Sequence, residues 1–128
     1  MEYYFSKTLN VSYNEAVKLT NEAFKSEGFG VITEINMHEK LKEKLGVDFK
    51  RYKILGACNP PYAYKALQAE DKIGTMMPCN VLVIEQEQNK IEIVAVNTVA
   101  SMQAITNPTL GNIALEVTNK PKKVIDNL

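Results

Sequence analysis

The sequence predicts an α+β fold, a two-layer sandwich whose mainly antiparallel five-stranded sheet carries helices on one face, in the order β-α-β-α-β-α-β-β-α. Three observations carry that expectation. Five short segments are continuously apolar or alternate with the period of two that marks a strand. Between most of them lie segments whose apolar residues recur at helical spacing behind a capping residue. The last two strands are separated only by the turn Gln86 to Lys90, so the second folds back on the first as a hairpin.

Tyr3 to Leu9 reads as the first strand. Ser12-Tyr13-Asn14-Glu15 is a capping box, with Val11 placed to pack on Ala16 as a hydrophobic staple. Ala16, Val17, Thr20, Ala23 and Phe24 follow at helical spacing, and Gly28 is a natural stop, which gives a first helix over about Tyr13 to Glu27. Phe29 to Ile35 is the second strand, with Phe29, Val31, Thr33 and Ile35 alternating against Gly30, Ile32 and Glu34. Asn36 followed by Glu39 repeats the capping logic. Met37, Leu41 and Leu45 then form a narrow stripe ending at Gly46, which suits a short helix over an edge or a lid.

Arg51 to Cys58 is the third strand, and Asn59 can cap a third helix, Pro60 to Ala69, with proline at its first position. Glu70-Asp71-Lys72 opens a loop containing Gly74 and Pro78. The fourth strand, Asn80 to Glu85, contains Val81-Leu82-Val83-Ile84, apolar on both faces as in a central strand covered on both sides. In a two-layer domain the second cover must come from another subunit, which predicts a homodimer. Ile91 to Val96 is the fifth strand. Val99 to Ile105 suits a short helix, and Asn107-Pro108 the cap and first residue of the last one. Leu110, Ile113, Ala114 and Val117 continue that helix, and Pro121 predicts a kink or break around Val117 to Lys120.

With 128 residues, the chain is expected to be one domain, residues 1–128, large enough to bury a core without staples. Fifteen basic and fifteen acidic residues cancel, so no net field draws the chain to nucleic acid or an anionic membrane. No apolar run approaches the length of a membrane span, and Met-Glu-Tyr-Tyr-Phe does not open like a secretion signal. The expected compartment is the cytoplasm, where a cysteine pair stays reduced more often than it forms a permanent disulfide.

Both cysteines lie between Leu55 and Asn80, each followed by Asn and each near a proline: Cys58-Asn59-Pro60 and Pro78-Cys79-Asn80. They fall where strands meet loops, a common address for a site. If the flanking strands pair antiparallel, the end of one lies beside the start of the other and the cysteines meet. If the strands run parallel, the cysteines lie at opposite ends of the sheet.

The segments Gly56-Ala57-Cys58-Asn59-Pro60, Ala63, Ala66-Leu67, Ile73-Gly74 and Pro78-Cys79-Asn80-Val81 resemble the signature of the bacterial and archaeal family called domain of unknown function 302. The likeness extends upstream through Lys44-Leu45-Gly46-Val47-Asp48-Phe49 and Tyr52-Lys53-Ile54-Leu55, and covers nearly the whole chain. It implies a compact two-layer domain, related in layout to TATA-binding-protein-like folds, and a homodimer. It brings no activity. The sequence departs from the family pattern at Thr75-Met76-Met77, where leucines are usual, and at Thr98, where a proline often follows an acidic residue; no role is carried over to that position.

The candidate site is therefore a corner made of Cys58, Asn59, Cys79 and Asn80, with Tyr62 and Met77 as adaptable apolar walls for a small molecule or regulatory partner. An alternative use of Cys58 and Cys79 is thiol redox chemistry or soft-metal binding. A helix start beside Cys58 favours its thiolate, but Pro60 and Pro61 remove two of the donors that would greet an anion there. Equally, free cysteines are often plain buried packing groups. Two thiols fall short of a zinc site, and Met76-Met77 beside Cys79 would suit copper(I), so no metal site is assigned. His38, the single histidine, reads as a surface residue. No phosphate loop or nucleophile elbow is present in the sequence. Glu34, Glu85 and Glu92 have strand spacing without a catalytic motif, and no cofactor follows from any of this.

Overall fold

A computed structural model describes residues 2–128 as an α+β domain. Strands β1 (Tyr4–Leu9), β2 (Gly30–Asn36), β3 (Tyr52–Cys58), β4 (Cys79–Glu87) and β5 (Lys90–Val96) form one antiparallel sheet in the order β1-β5-β4-β3-β2. Helices α1 (Tyr13–Ser26), α2 (Met37–Leu45), α3 (Pro60–Ala69), α4 (Thr98–Ser101) and α5 (Pro108–Asp126) connect and cover it. The segment Asp71–Met76 winds as a 3₁₀ helix between α3 and β4.

Sequence alternation explains which face is covered. Leu55, Ala57, Val81, Val83, Ile91, Ile93 and Ala95 share one face and are buried, where they join Ala16, Phe24, Val117, Val124 and Ile125 of α1 and α5 in one core. Lys7 on that face donates its ammonium hydrogens to the carbonyls of Asp126 and Leu128, fastening the end of α5 to β1. The other face carries a lateral row, Ile35–Ile54–Leu82–Val94, running across β2, β3, β4 and β5. Ile35 is 40% exposed and the other three are half-buried.

Ser12 caps α1 as the capping box predicts, accepting from the Glu15 amide at 3.2 Å. Gly28, at φ +86°, turns the chain into β2. The simple alternation expected for the second strand fails: the register shifts between Val31 and Thr33, a bulge that leaves Ile32 outside the ladder. Phe29 lies before the strand and is a buried core residue. Asn36 makes no side-chain cap; its amide instead donates to Glu39 at 3.4 Å. Helix α2 buries no residue, consistent with the narrow stripe read from the sequence.

Three further details differ from the sequence expectation. Strand β4 begins at Cys79 and runs to Glu87, longer than expected, because its ladder with β5 continues past a second register shift at Gln86. The short helix after β5 is only Thr98–Ser101, capped by Asn97, whose side chain accepts from Val99 at 3.1 Å and Ala100 at 3.4 Å. The last helix is not broken near Val117: α5 runs without interruption through Pro121. Pro121 is buried on the covered side of the sheet, where packing of the ring compensates for the lost backbone bond.

Candidate functional site

The antiparallel pairing of β3 with β4 puts Ala57 opposite Cys79, so the end of one strand lies beside the start of the other and both cysteines come to the same corner. Both are free thiols and half-buried. Here the helix-covered side opens into a cavity of about 270 Å³. Its floor is Phe29, Ala57, Cys58 and Cys79; α3 supplies Tyr62, Ala63 and Ala66; Met77 closes one end; and α5 supplies Leu110, Ala114 and Val117.

The space has a packing cause. The main core behind the sheet and a smaller cluster of Ala66, Ile73 and Leu110 are separate apolar groups, and the cavity wall draws on both. Alanines at 57, 63, 66 and 114 stand where larger side chains would close the gap between them. Asn107 fastens the start of α5 to the end of α3 and so fixes where the two helices meet beside the cavity: its side chain accepts from the Leu110 amide at 3.3 Å, while its amide donates to the Ala69 carbonyl at 2.9 Å and to Glu70 at 3.3 Å. Thr98, buried at the far wall, bonds the Thr118 hydroxyl and donates to the Ala114 carbonyl at 3.3 Å, tying α4 to α5.

Five of the six residues expected at the site line this cavity: Cys58, Asn59, Tyr62, Met77 and Cys79. Asn80 does not. It follows Cys79 in the strand, so its side chain leaves by the opposite face, where it is exposed. Asn59 makes no side-chain cap on α3. Its amide lies against Gly28, where an added methyl carbon would come within 3.3 Å, and it points at the Glu27 carbonyl from 3.5 Å. That orientation joins the start of α3 to the turn before β2.

Burial pushes the Cys79 thiol up to about 11, and nearby Cys58 pushes in the same direction. Cys79 is thus a neutral thiol at physiological pH. Among the described residues no three His, Cys, Asp or Glu side chains gather as a metal group. His38 is not a free surface imidazole: its Nδ1 accepts the Tyr52 amide at 2.9 Å and pins α2 to β3. The strand carboxylates are also engaged, Glu34 with Lys53, Glu85 with Arg51 at 3.5 Å, and Glu92 with the Gln86 amide at 2.9 Å.

Sequence reasoning missed Ile32, Leu67, Met102, Ile113 and the alanines of the wall. The spacing of Ala63 and Ala66 on one helix face was a usable signal, because small residues at that spacing mark either a close helix contact or a space. Met102 and Ile113 carried no such signal, since only the tertiary fold brings them to β3 and β4.

The chain matches the family model described as Domain of unknown function DUF302 over residues 5–128. It also superposes on a crystal structure described as that of an uncharacterized conserved protein DUF302 from Bacillus stearothermophilus, with a TM-score of 0.89 and 28% sequence identity, covering 98% of each chain. No curated protein matches.

Proposed function

On the premise that this chain belongs to the DUF302 family, described only as a domain of unknown function, we propose that it is a dimeric binding module that takes a small molecule into the cavity between α3 and α5. The observation that carries this reading is the cavity itself. Its volume of about 270 Å³ is more than packing defects leave in a domain of this size, and its walls come from separate elements at the ends of two central strands. The aromatic and thioether groups of Tyr62, Met77 and Met102 give an adaptable surface for a ligand. A thermal-shift screen against a metabolite library tests it, since a ligand that binds only the folded chain raises its melting temperature by mass action. Native mass spectrometry of freshly purified protein reads subunit count and any retained ligand in one spectrum. A screen without hits, together with a bare monomer mass, would refute the proposal.

The dimer part of the reading is supported by the uncovered sheet face. The row Ile35–Ile54–Leu82–Val94 spans three strand spacings, roughly 14 Å; Ile84 and Tyr52 extend the apolar surface beside it on the same face, and Ser6, Thr8, Thr33, Asn80 and Glu92 are its polar neighbours. An apolar patch of this kind with polar residues beside it suits a protein interface, and a second copy would meet the row with its own.

A second reading is soft-metal or thiol redox chemistry. Four sulfur side chains, Cys58, Cys79, Met77 and Met102, share the cavity wall, a donor set that suits copper(I). The raised Cys79 pKa works against it, because the metal must displace a tightly held proton. Thiol titration with and without reductant and copper(I) separates the two readings: unaltered counts of two free thiols under all conditions favour the ligand cavity.

A further inference from the structure

We infer that the ligand of this cavity is a neutral, apolar molecule of compact shape, an alkylbenzene, bicyclic aromatic or similar hydrocarbon-like compound. The inference rests on the cavity reading above and specifies its chemistry. Among the described residues, no Asp, Glu, Lys, Arg or His lines the cavity: the wall is aliphatic, aromatic, thioether and thiol, with Asn59, Tyr62 and Thr98 as its other polar residues. The Thr98 hydroxyl is already committed to Thr118 and the Ala114 carbonyl. The Cys79 thiol retains its proton for the reason given above, so it supplies no anion. A phosphate, carboxylate or ammonium brought here would lose its hydration with no opposite charge to meet it.

The mouth points to the same chemistry. Ile32 is 62% exposed and Leu67 46% exposed, yet both belong to the cavity wall, so large apolar side chains face water at the entrance. Ile32 stands there because of the β2 bulge, which removes it from the ladder and re-aims its side chain; bulges are often found beside sites for this reason. An entrance lined this way favours molecules that shed water readily. Size follows from volume. A dry apolar cavity of about 150 Å³ accepts benzene, so one of about 270 Å³ has room for roughly eleven non-hydrogen atoms.

Isopropylbenzene and benzoate test the inference as a matched pair: each has nine non-hydrogen atoms, and they differ in the replacement of an isopropyl group by a carboxylate of similar size. Binding of each to the full chain is followed by ligand-detected NMR at pH 7, with the wall variants Ala63→Leu and Ala66→Phe and the rim variant Ile32→Ser. Circular dichroism checks that each variant folds. Ala63, half-buried on the wall, is the substitution least disturbing to the fold if Ala66→Phe is not tolerated. The expected result is that isopropylbenzene binds, that benzoate binds at least about tenfold more weakly, and that each folded wall variant weakens isopropylbenzene by at least about tenfold. The rim variant weakens it less. Equal or tighter binding of benzoate, lost in the wall variants, would overturn the apolar assignment while leaving the cavity as the site. Isopropylbenzene binding that ignores every folded wall variant would place the ligand elsewhere and overturn the cavity reading itself. If neither probe binds, the apolar assignment falls, and the cavity reading falls with it only when the metabolite screen is blank as well.

Discussion

Ala57 of β3 stands directly opposite Cys79 of β4 in the antiparallel ladder, and that pairing turns both side chains toward the helices while Asn80 faces the other way. It brings two otherwise unremarkable strand ends to one corner. It also places Cys79 at the bottom of an apolar wall, with consequences for its chemistry.

Cys79 should react slowly with alkylating agents at neutral pH. Its pKa of about 11, against an ordinary value of 9.0, leaves about a hundredfold less thiolate than a solvated cysteine. In Cys58→Ala protein, the rate of iodoacetamide modification should still be rising above pH 9. A plateau near pH 9 would contradict the buried environment.

The same shift links to stability. The folded chain holds the Cys79 proton more tightly than the unfolded one, so the contribution is fully present below about pH 9 and is lost as pH rises toward 11. Urea midpoints measured across that window should fall more steeply in the parent protein than in Cys79→Ala.

Gly56→Ala should destabilise the domain by about 3 kcal/mol. An added methyl carbon would lie 2.0 Å from the Thr33 hydroxyl oxygen and 2.6 Å from the Pro78 ring, so both neighbours must move. Combining it with Thr33→Gly should recover part of the loss in urea unfolding, leaving the Pro78 clash. Full stability in the single variant would mean that β2 and the loop before β4 yield easily.

Asn107→Ala removes a helix cap together with two bonds to the end of α3, and should cost about 2 kcal/mol. Because those bonds set the spacing of the cavity walls, ligand affinity should fall as well, beyond what the small loss of folded population explains. Unchanged affinity in the folded variant would mean that α5 is positioned by other contacts.

Leu82→Glu lies at the centre of the apolar row, on the face away from the cavity. It should convert a dimer to a folded monomer in sedimentation velocity, because a carboxylate at the middle of a dry interface has no partner. A variant that remains dimeric would exclude this face as the subunit contact.

Much of the fold was legible because local signals and tertiary demands agree. The Ser12 cap on α1, the Asn107-Pro108 helix start, and the strand over Val81 to Ile84 each appear as read. The failures have identifiable causes. Pro121 forbids one backbone bond but not a helix, and burial of its ring outweighed the local preference. The bulge at Ile32 is invisible in a pattern that alternates well enough by eye.

The corner itself was half legible. Cys58 and Cys79 with their neighbours marked the right strand ends, but counting Asn80 with Cys79 ignored the period of two, which sends adjacent strand residues to opposite faces. The extent of the cavity was only partly legible. It depends on where alanines at 57, 63, 66 and 114 fall relative to one another across three elements, and a small residue looks the same in sequence whether it packs tightly or leaves a space.

The most direct test of the binding cavity uses the methionine methyl groups as reporters. Met77 and Met102 line the cavity, whereas Met37 and Met76 do not. In protein labelled with ¹³C at the methionine methyls, titration with a ligand found by the thermal screen should shift the Met77 and Met102 signals together, with Met37 and Met76 little changed. Shifts confined to Met37 or Met76, or a saturating ligand that moves neither Met77 nor Met102, would contradict the account.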